Sequence, residues 1–217
     1  FNHNSSREGS GITFGTFKTA LSGGKDICLI DSHYNDYSTG GQKWFNMNHS
    51  SNTNSGGWKS CDLRYDVLGS TNAKGADAGT TTATSPVSGT LMAALPADLR
   101  AVMKPMTIYT DNMGGGNSAN YVSATVDYLP LLAEYEIFGA RTHASGFEQN
   151  YQAQYDYYSA GNSKVKYRHS ATSSTAIWWE RSPIYYNSNN FCNVNTNGNA
   201  NYYYARNSYG LAPAFRV

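Results

Sequence analysis

AIWWERSPIYYNSNNFCNVNTNGNANYYYARNSYGLAPAFRV, Ala176 to Val217, carries most of the information in this chain. From Ile184 to Leu211 its only formal charge is Arg206, and most positions are Asn, Tyr, Ser or a small residue. A disordered tract would lack apolar periodicity. Here Cys192 and Val194 alternate with Asn193 and Asn195, the pattern of a half-buried strand, which places those Asn on the outer face. "NFCNVN" and "ANYYYAR" read as short strands, and Asn197-Gly198 between them is a hairpin signal. Ala200, Ala205 and Gly210 recur as small spacers that hold the backbone, while the Asn and Tyr between them project outward.

The flanks require a core. "TAIWWERSP" reads as a strand on which Trp178 and Trp179 point to opposite sides, one into the core and one under a neighbouring loop. Arg181, ahead of Ser182-Pro183, is placed either to brace the next loop or to lie in solvent. "LMAA" and "ADLRAVM" read as two helical pieces parted by Pro96, with Leu91, Met92, Leu95, Leu99, Val102 and Met103 facing inward. Trp58, Cys61, Leu63, Tyr65 and Leu68 fit a short amphipathic helix. Phe147, Tyr151, Tyr155 and Tyr158 recur at near-helical spacing. "MTIYT" and "YVSATVDYLPLLA" read as strands around the turn "DNMGGGNSAN", and Ile27, Leu29 and Ile30 as a short strand. The fold class is therefore α+β with a β-rich C-terminal half. Residues 1–14 are expected to be a linker or frayed end, with one domain over 15–217.

The chain of 217 residues is 14% charged, carries 18 Tyr and has a formal net charge of +1. That balance excludes an electrostatic nucleic-acid binder. Low charge with abundant Tyr, Ser, Gly and Asn is the composition of recognition surfaces. No apolar run is long enough to span a membrane. The chain starts at Phe1, which suggests a fragment whose parent could carry a targeting or assembly region upstream, the expected seat of any homo-oligomer. Cys28, Cys61 and Cys192 lack zinc-site spacing and read as buried free thiols, with one disulfide plus one thiol as the alternative. The histidines are scattered, and the Asp26–Asp31–His33 neighbourhood is a weak catalytic signal. Glu134 and Glu136 suit capping or solvated roles. "MGGGNSAN" lacks the lysine and helix of a phosphate loop. No catalytic residue, metal ligand or cofactor is assigned, and the chain reads as a binding module rather than an enzyme.

Tyrosine offers rigid amphipathic contact area, and Asn offers adaptable donors and acceptors. The candidate ligand-binding anchors are Tyr185, Tyr186, Tyr202, Tyr203, Tyr204 and Tyr209, with Arg206 as a charged hot spot. Asn187, Asn190, Asn193, Asn195, Asn199, Asn201 and Asn207 complete the set, although structural turn roles are open for several Asn. Asn and Tyr codons differ by one adenine replacement, and Ser and Arg codons are also reached by replacing adenines. A mutagenised Asn-rich template would produce such a mixture.

The frame from "WWERSP" to "LAPAF", with "FCNVNTNGNAN" inside it, resembles the variable C-terminus of proteins diversified by retroelements. "LMAALPADLRAVMKPMTIYTDN", "LPLLAEYEIFG" and "EQNYQAQYDYYSAGNSKVKYRHSAT" are similar to a prophage-encoded branch of that group. The likeness runs from about Gly15 to the C-terminus. It implies a C-type lectin fold with inserted helices, ending in a variable segment over about 182–217. It implies that Trp178, Trp179, Arg181, Pro183, Gly198, Ala200, Gly210 and Pro213 form the frame. It also implies that the residues between them bind a host cell-surface protein or glycan, from a phage tail or a bacterial cell surface, in the manner of an adhesin. The calcium and sugar motifs of animal C-type lectins are absent, and the cysteine pair of the copper oxidase on this fold is reduced to Cys192. A structural virion component and an enzyme on the same fold remain the alternative readings.

Overall fold

A computed structural model describes residues 26–28, 33–36, 41–49, 51–80, 82–168 and 173–217. The strands are β1 (Ile27–Cys28), β2 (His33–Asp36), β3 (Gly41–Trp44), β4 (Met106–Asp111), β5 (Val122–Asp127), β6 (Lys166–Arg168), β7 (Thr175–Ala176), β8 (Trp178–Pro183), β9 (Asn190–Val194) and β10 (Ala200–Tyr204). The helices are α1 (Gly57–Ser60), α2 (Leu91–Ala94), α3 (Ala97–Val102), α4 (Glu134–Phe138) and α5 (Asp156–Ser159). A π turn covers Leu63–Val67 and 3-10 turns cover Ala119–Tyr121 and Glu148–Tyr151. The fold is α+β, as the sequence implied, with short helices around small sheets.

Three of the sheets matter to the site. The strand order β10-β9-β8 makes an antiparallel sheet, β4 and β5 form a hairpin, and β1-β6-β7 form a further small sheet. In the first sheet β9 is central, and β8 and β9 are buried along their whole length. The expected hairpin is present, with Ala200 opposite Val194 and Tyr204 opposite Asn190. Gly198 sits in its turn at φ +82, a conformation glycine adopts without steric cost.

The two tryptophans organise the interior. Trp179 lies in the main core with Phe45, Trp58, Leu129 and Phe191. Trp178 lies in a second cluster with Cys28, Ile137, Tyr158 and Val194. Both rings are fully buried and both donate Nε1–H to a carbonyl, Trp179 to Phe45 and Trp178 to Lys164. The period-2 geometry of β8 sends neighbouring rings to opposite faces, so one dipeptide nails the sheet to two cores. The three cysteines are free and buried. Burial pushes the Cys28 and Cys61 thiols up to about 12, which keeps them protonated and unreactive.

The break at Pro96 and the Trp58–Leu68 helical segment are as read from the sequence, the latter split between α1 and the π turn. Two packing expectations fail. Val102 is 53% exposed, because α3 ends there, while Leu99 and Met103 pack against the core. Phe147–Tyr158 is not one helix. Gln152 is extended at φ −125 and ψ 155. Its Nε2 donates to the Tyr109 carbonyl, and Tyr155 N–H donates to the Glu136 carbonyl. Tertiary hydrogen bonds thus replace the helical ones, and of the four rings only Tyr158 is buried.

A tight approach joins α1 to the β4 end. Gly57 is at φ +52, and a Cβ there would stand 2.0 Å from the Asp111 carbonyl oxygen. Gly57→Ala is expected to cost about 2 kcal/mol or more, from backbone strain and the clash together. Urea unfolding midpoints of the two proteins measure it, and an unchanged midpoint refutes the contact.

Candidate ligand-binding face

The site is built on β8 and β9. Between Trp179–Asn193 and Pro183–Phe191 the register shifts, so four steps along β8 face two along β9. The bulge lets Arg181 and Ser182 reach different partners. Arg181 is buried and forms a forked pair with Glu136, at 2.6 Å to each carboxylate oxygen. It also donates Nε–H to Thr110 Oγ1 at 2.8 Å and Nη1–H to the Leu131 carbonyl at 2.8 Å. Of the two roles left open for Arg181, bracing is the one observed. Glu136 accepts from the Ala133 N–H at 2.9 Å, so it caps α4 but is buried rather than solvated.

Glu134, also buried, accepts from the backbone N–H groups of Thr142, His143 and Ala144. That fixes the 141–144 loop against Ile184 and Tyr185, whose N–H donates to the His143 carbonyl. Ser182 donates Oγ–H to Glu148 at 2.6 Å and accepts from the Glu134 N–H. Burial raises Glu148 to about 7. Among the described residues Glu180 has no hydrogen-bond partner for either carboxylate oxygen. Burial, and then the charges of Glu134 and Glu148, raise it well above the usual carboxylate range. Both groups are sealed from solvent (1% and 0% exposed). At both, burial favours the protonated form. Among the described residues no group of three or more His, Cys, Asp or Glu is arranged to hold a metal.

Above this floor the tyrosines divide. On one face of the sheet Tyr185 and Tyr186 meet edge-on at 5.0 Å, and Tyr186 meets Tyr202 at 5.8 Å. His143 stands edge-on to Tyr202 at 4.8 Å, with Nδ1 2.8 Å from the Tyr186 hydroxyl. The Arg141 guanidinium lies over the Tyr185 ring at 5.1 Å. On the other face Tyr203 packs on Tyr209, which packs on Trp179, each at 5.1 Å. Asn207 donates to the Tyr209 hydroxyl. Tyr204 and Arg206 are exposed at the end of β10. The three consecutive tyrosines therefore do not form one patch, because alternation along β10 sends Tyr202 and Tyr203 to opposite faces.

Two expected contact residues are not at the surface. Asn193 is fully buried, with neither amide atom paired among the described residues, and Asn190 is 6% exposed. The Asn193/Asn195 alternation mistook a central strand for a half-buried one, since β9 is covered on both faces. Asn187 and Asn195 act in turns. Asn187 Oδ1 accepts from the Asn189 and Asn190 N–H groups, and Asn195 Oδ1 from those of Asn197 and Asn199. Asn199 is exposed, and Asn201 is half-buried.

The chain matches over residues 28–217 the family described as a domain of unknown function, DUF6273. It belongs to the DUF6273 family. No curated protein and no solved structure matches it. In this DUF6273 chain, sequence reasoning missed Arg141 and His143, which enter the face from a loop distant in sequence. It also missed Asn54, whose buried side chain donates to the carbonyls of Ile184, Asn187 and Asn190. No local signal marks any of the three. Of the implied frame, Trp178, Trp179, Arg181, Pro183 and Gly210 are buried, while Gly198, Ala200 and Pro213 are half-buried.

Proposed function

We propose that the chain is a ligand-binding module that presents the tyrosines around β10 to a protein or glycan on a cell surface. It is read as a C-type-lectin-fold protein of the retroelement-diversified kind, carried on a phage tail or a bacterial surface. The observation that supports this most is the contrast between floor and face. Tyr186 and Tyr204 are 47% and 49% exposed, directly beside strands that are buried throughout. Large rings left in water next to a rigid frame suit recognition, because they lose little entropy on contact. The frame also tolerates change at exposed positions, since its fixed contacts run through Arg181, Glu134 and Asn54.

The double variant Tyr186→Ala, Tyr204→Ala is expected to lose at least about 10-fold in capture by a glycan array or bacterial surface extracts. Its unfolding free energy should move by less than about 1 kcal/mol. Surface plasmon resonance and thermal melts provide the two readings. Capture that survives the double variant removes these rings from the site and the proposal with them.

A further inference from the structure

Among the described residues the edge of β10 stands apart from the other long strand edges. The outer edge of β8 is covered, since Trp179 N–H donates to the Gly210 carbonyl and Arg181 N–H to that of Leu132. The outer edge of β5 is covered by Asp77, whose carbonyl accepts from Val126 N–H. On β4, Glu148 accepts from the Asp111 N–H and Gln152 donates to the Tyr109 carbonyl. Among the described residues β10 pairs with β9 alone.

Its outward groups follow from the ladder. Asn195 N–H donates to the Asn199 carbonyl, and Ala205 N–H donates to that of Asn189. In an antiparallel pair the bonded positions alternate, so Asn201 and Tyr203 bond to β9. Ala200, Tyr202 and Tyr204 then direct their N–H and C=O away from the sheet. The Tyr204 carbonyl accepts from Asn207 N–H. The remaining outward groups have no partner among the described residues. Edge strands are normally guarded by Lys, Pro or a bulge, and "ANYYY" has no charge, no proline and an unbroken register with β9.

We propose that β10 is a strand-addition site, and that its occupant is an extended, acidic segment of a partner protein. Alternating unpaired N–H and C=O groups are complementary to an extended polypeptide backbone. The acidic character follows from charge. Arg141 and Arg206 are exposed at this sheet and have no carboxylate partner among the described residues. No acidic residue lies between Ile184 and Leu211. A second copy pairing through its own β10 would bring a further Arg206 and no acidic residue of the 184–211 segment to that edge. The inference rests on the reading of this sheet as a recognition surface, but it names backbone pairing rather than ring contact as the source of affinity.

The test pans a phage-displayed library of short linear peptides on the intact chain. Enriched sequences are resynthesised with and without N-methylation at alternate amides, then titrated by fluorescence anisotropy. Enriched peptides should be rich in Asp and Glu, and N-methylation on the bonding edge should weaken binding about 30-fold. Hydrogen exchange should slow at the Ala200, Tyr202 and Tyr204 amides on binding, while those of Asn201 and Tyr203 are slow with or without peptide. Ala200→Pro removes an outward N–H and leaves the ladder to β9, so it should lose peptide binding and keep its near-UV circular dichroism. If it misfolds, the N-methylated peptides decide alone. Basic enriched peptides, binding that ignores N-methylation, or no enrichment would each overturn the proposal. So would protection that appears only with concentration-dependent dimerisation, which makes a second copy the occupant. Loss of strand addition with capture still dependent on Tyr186 and Tyr204 would leave the aromatic face standing. Peptide addition without such capture would remove that face instead.

Discussion

Arg181→Met is expected to destabilise the chain by about 3–5 kcal/mol, the cost of leaving one member of a buried ion pair without its partner. The change removes both 2.6 Å contacts to Glu136 and the donors to Thr110 and Leu131. Methionine retains much of the volume, so the loss is electrostatic and polar rather than a cavity. For a chain of this size the melting temperature should fall by about 10 °C. The double variant Arg181→Met, Glu136→Leu should recover most of that, because an apolar pair in place of a buried ion pair is often neutral or better. The Ala133 N–H, which Glu136 also caps, and the Thr110 and Leu131 acceptors left by Arg181 set the unrecovered remainder. A single variant within about 1 kcal/mol of the parent would show that the fork contributes little.

Stability should decline as pH rises from about 5 to 8. Glu148 has a folded value of about 7 against an ordinary 4.5, with burial as the main cause. Between those values the folded state holds a proton that the unfolded chain has released, so each step up in pH favours unfolding. The benefit is complete below the unfolded value and is lost as pH passes through the folded one. At about 1.4 kcal/mol per unit this amounts to roughly 3 kcal/mol. Glu180, which burial raises well above the usual carboxylate range, acts in the same direction. Glu148→Gln should flatten the profile, and melting curves across this range provide the comparison. A parent whose melting temperature is level or rises from pH 5 to 8 would contradict the assignment.

The acids and the face were legible to different degrees. Glu134 and Glu136 were expected to cap or to lie in solvent; Glu136 caps α4, and Glu134 accepts loop N–H groups instead. Their burial and the Arg181 fork were hidden, because the partners lie on β8, far along the chain. His143 read as one of several scattered histidines. It becomes part of the face only because Glu134 pins its loop and Ile184 and Tyr185 bond to it. Asn193 shows the reverse error, where a correct strand assignment gave the wrong surface because β9 is covered on both sides.

What could be read from residues alone was local or compositional. The Asn197-Gly198 hairpin, the break at Pro96, the opposed tryptophans, the free thiols and the α+β class all depend on short-range backbone geometry or on residue counts. Tertiary structure decided the rest. It set which tyrosines share a face, which Asn and which carboxyls are buried, and which strand edge has no partner among the described residues. Each of these depends on what packs against a residue from elsewhere in the chain, and burial and electrostatic environment have no signature in a neighbouring pair of letters.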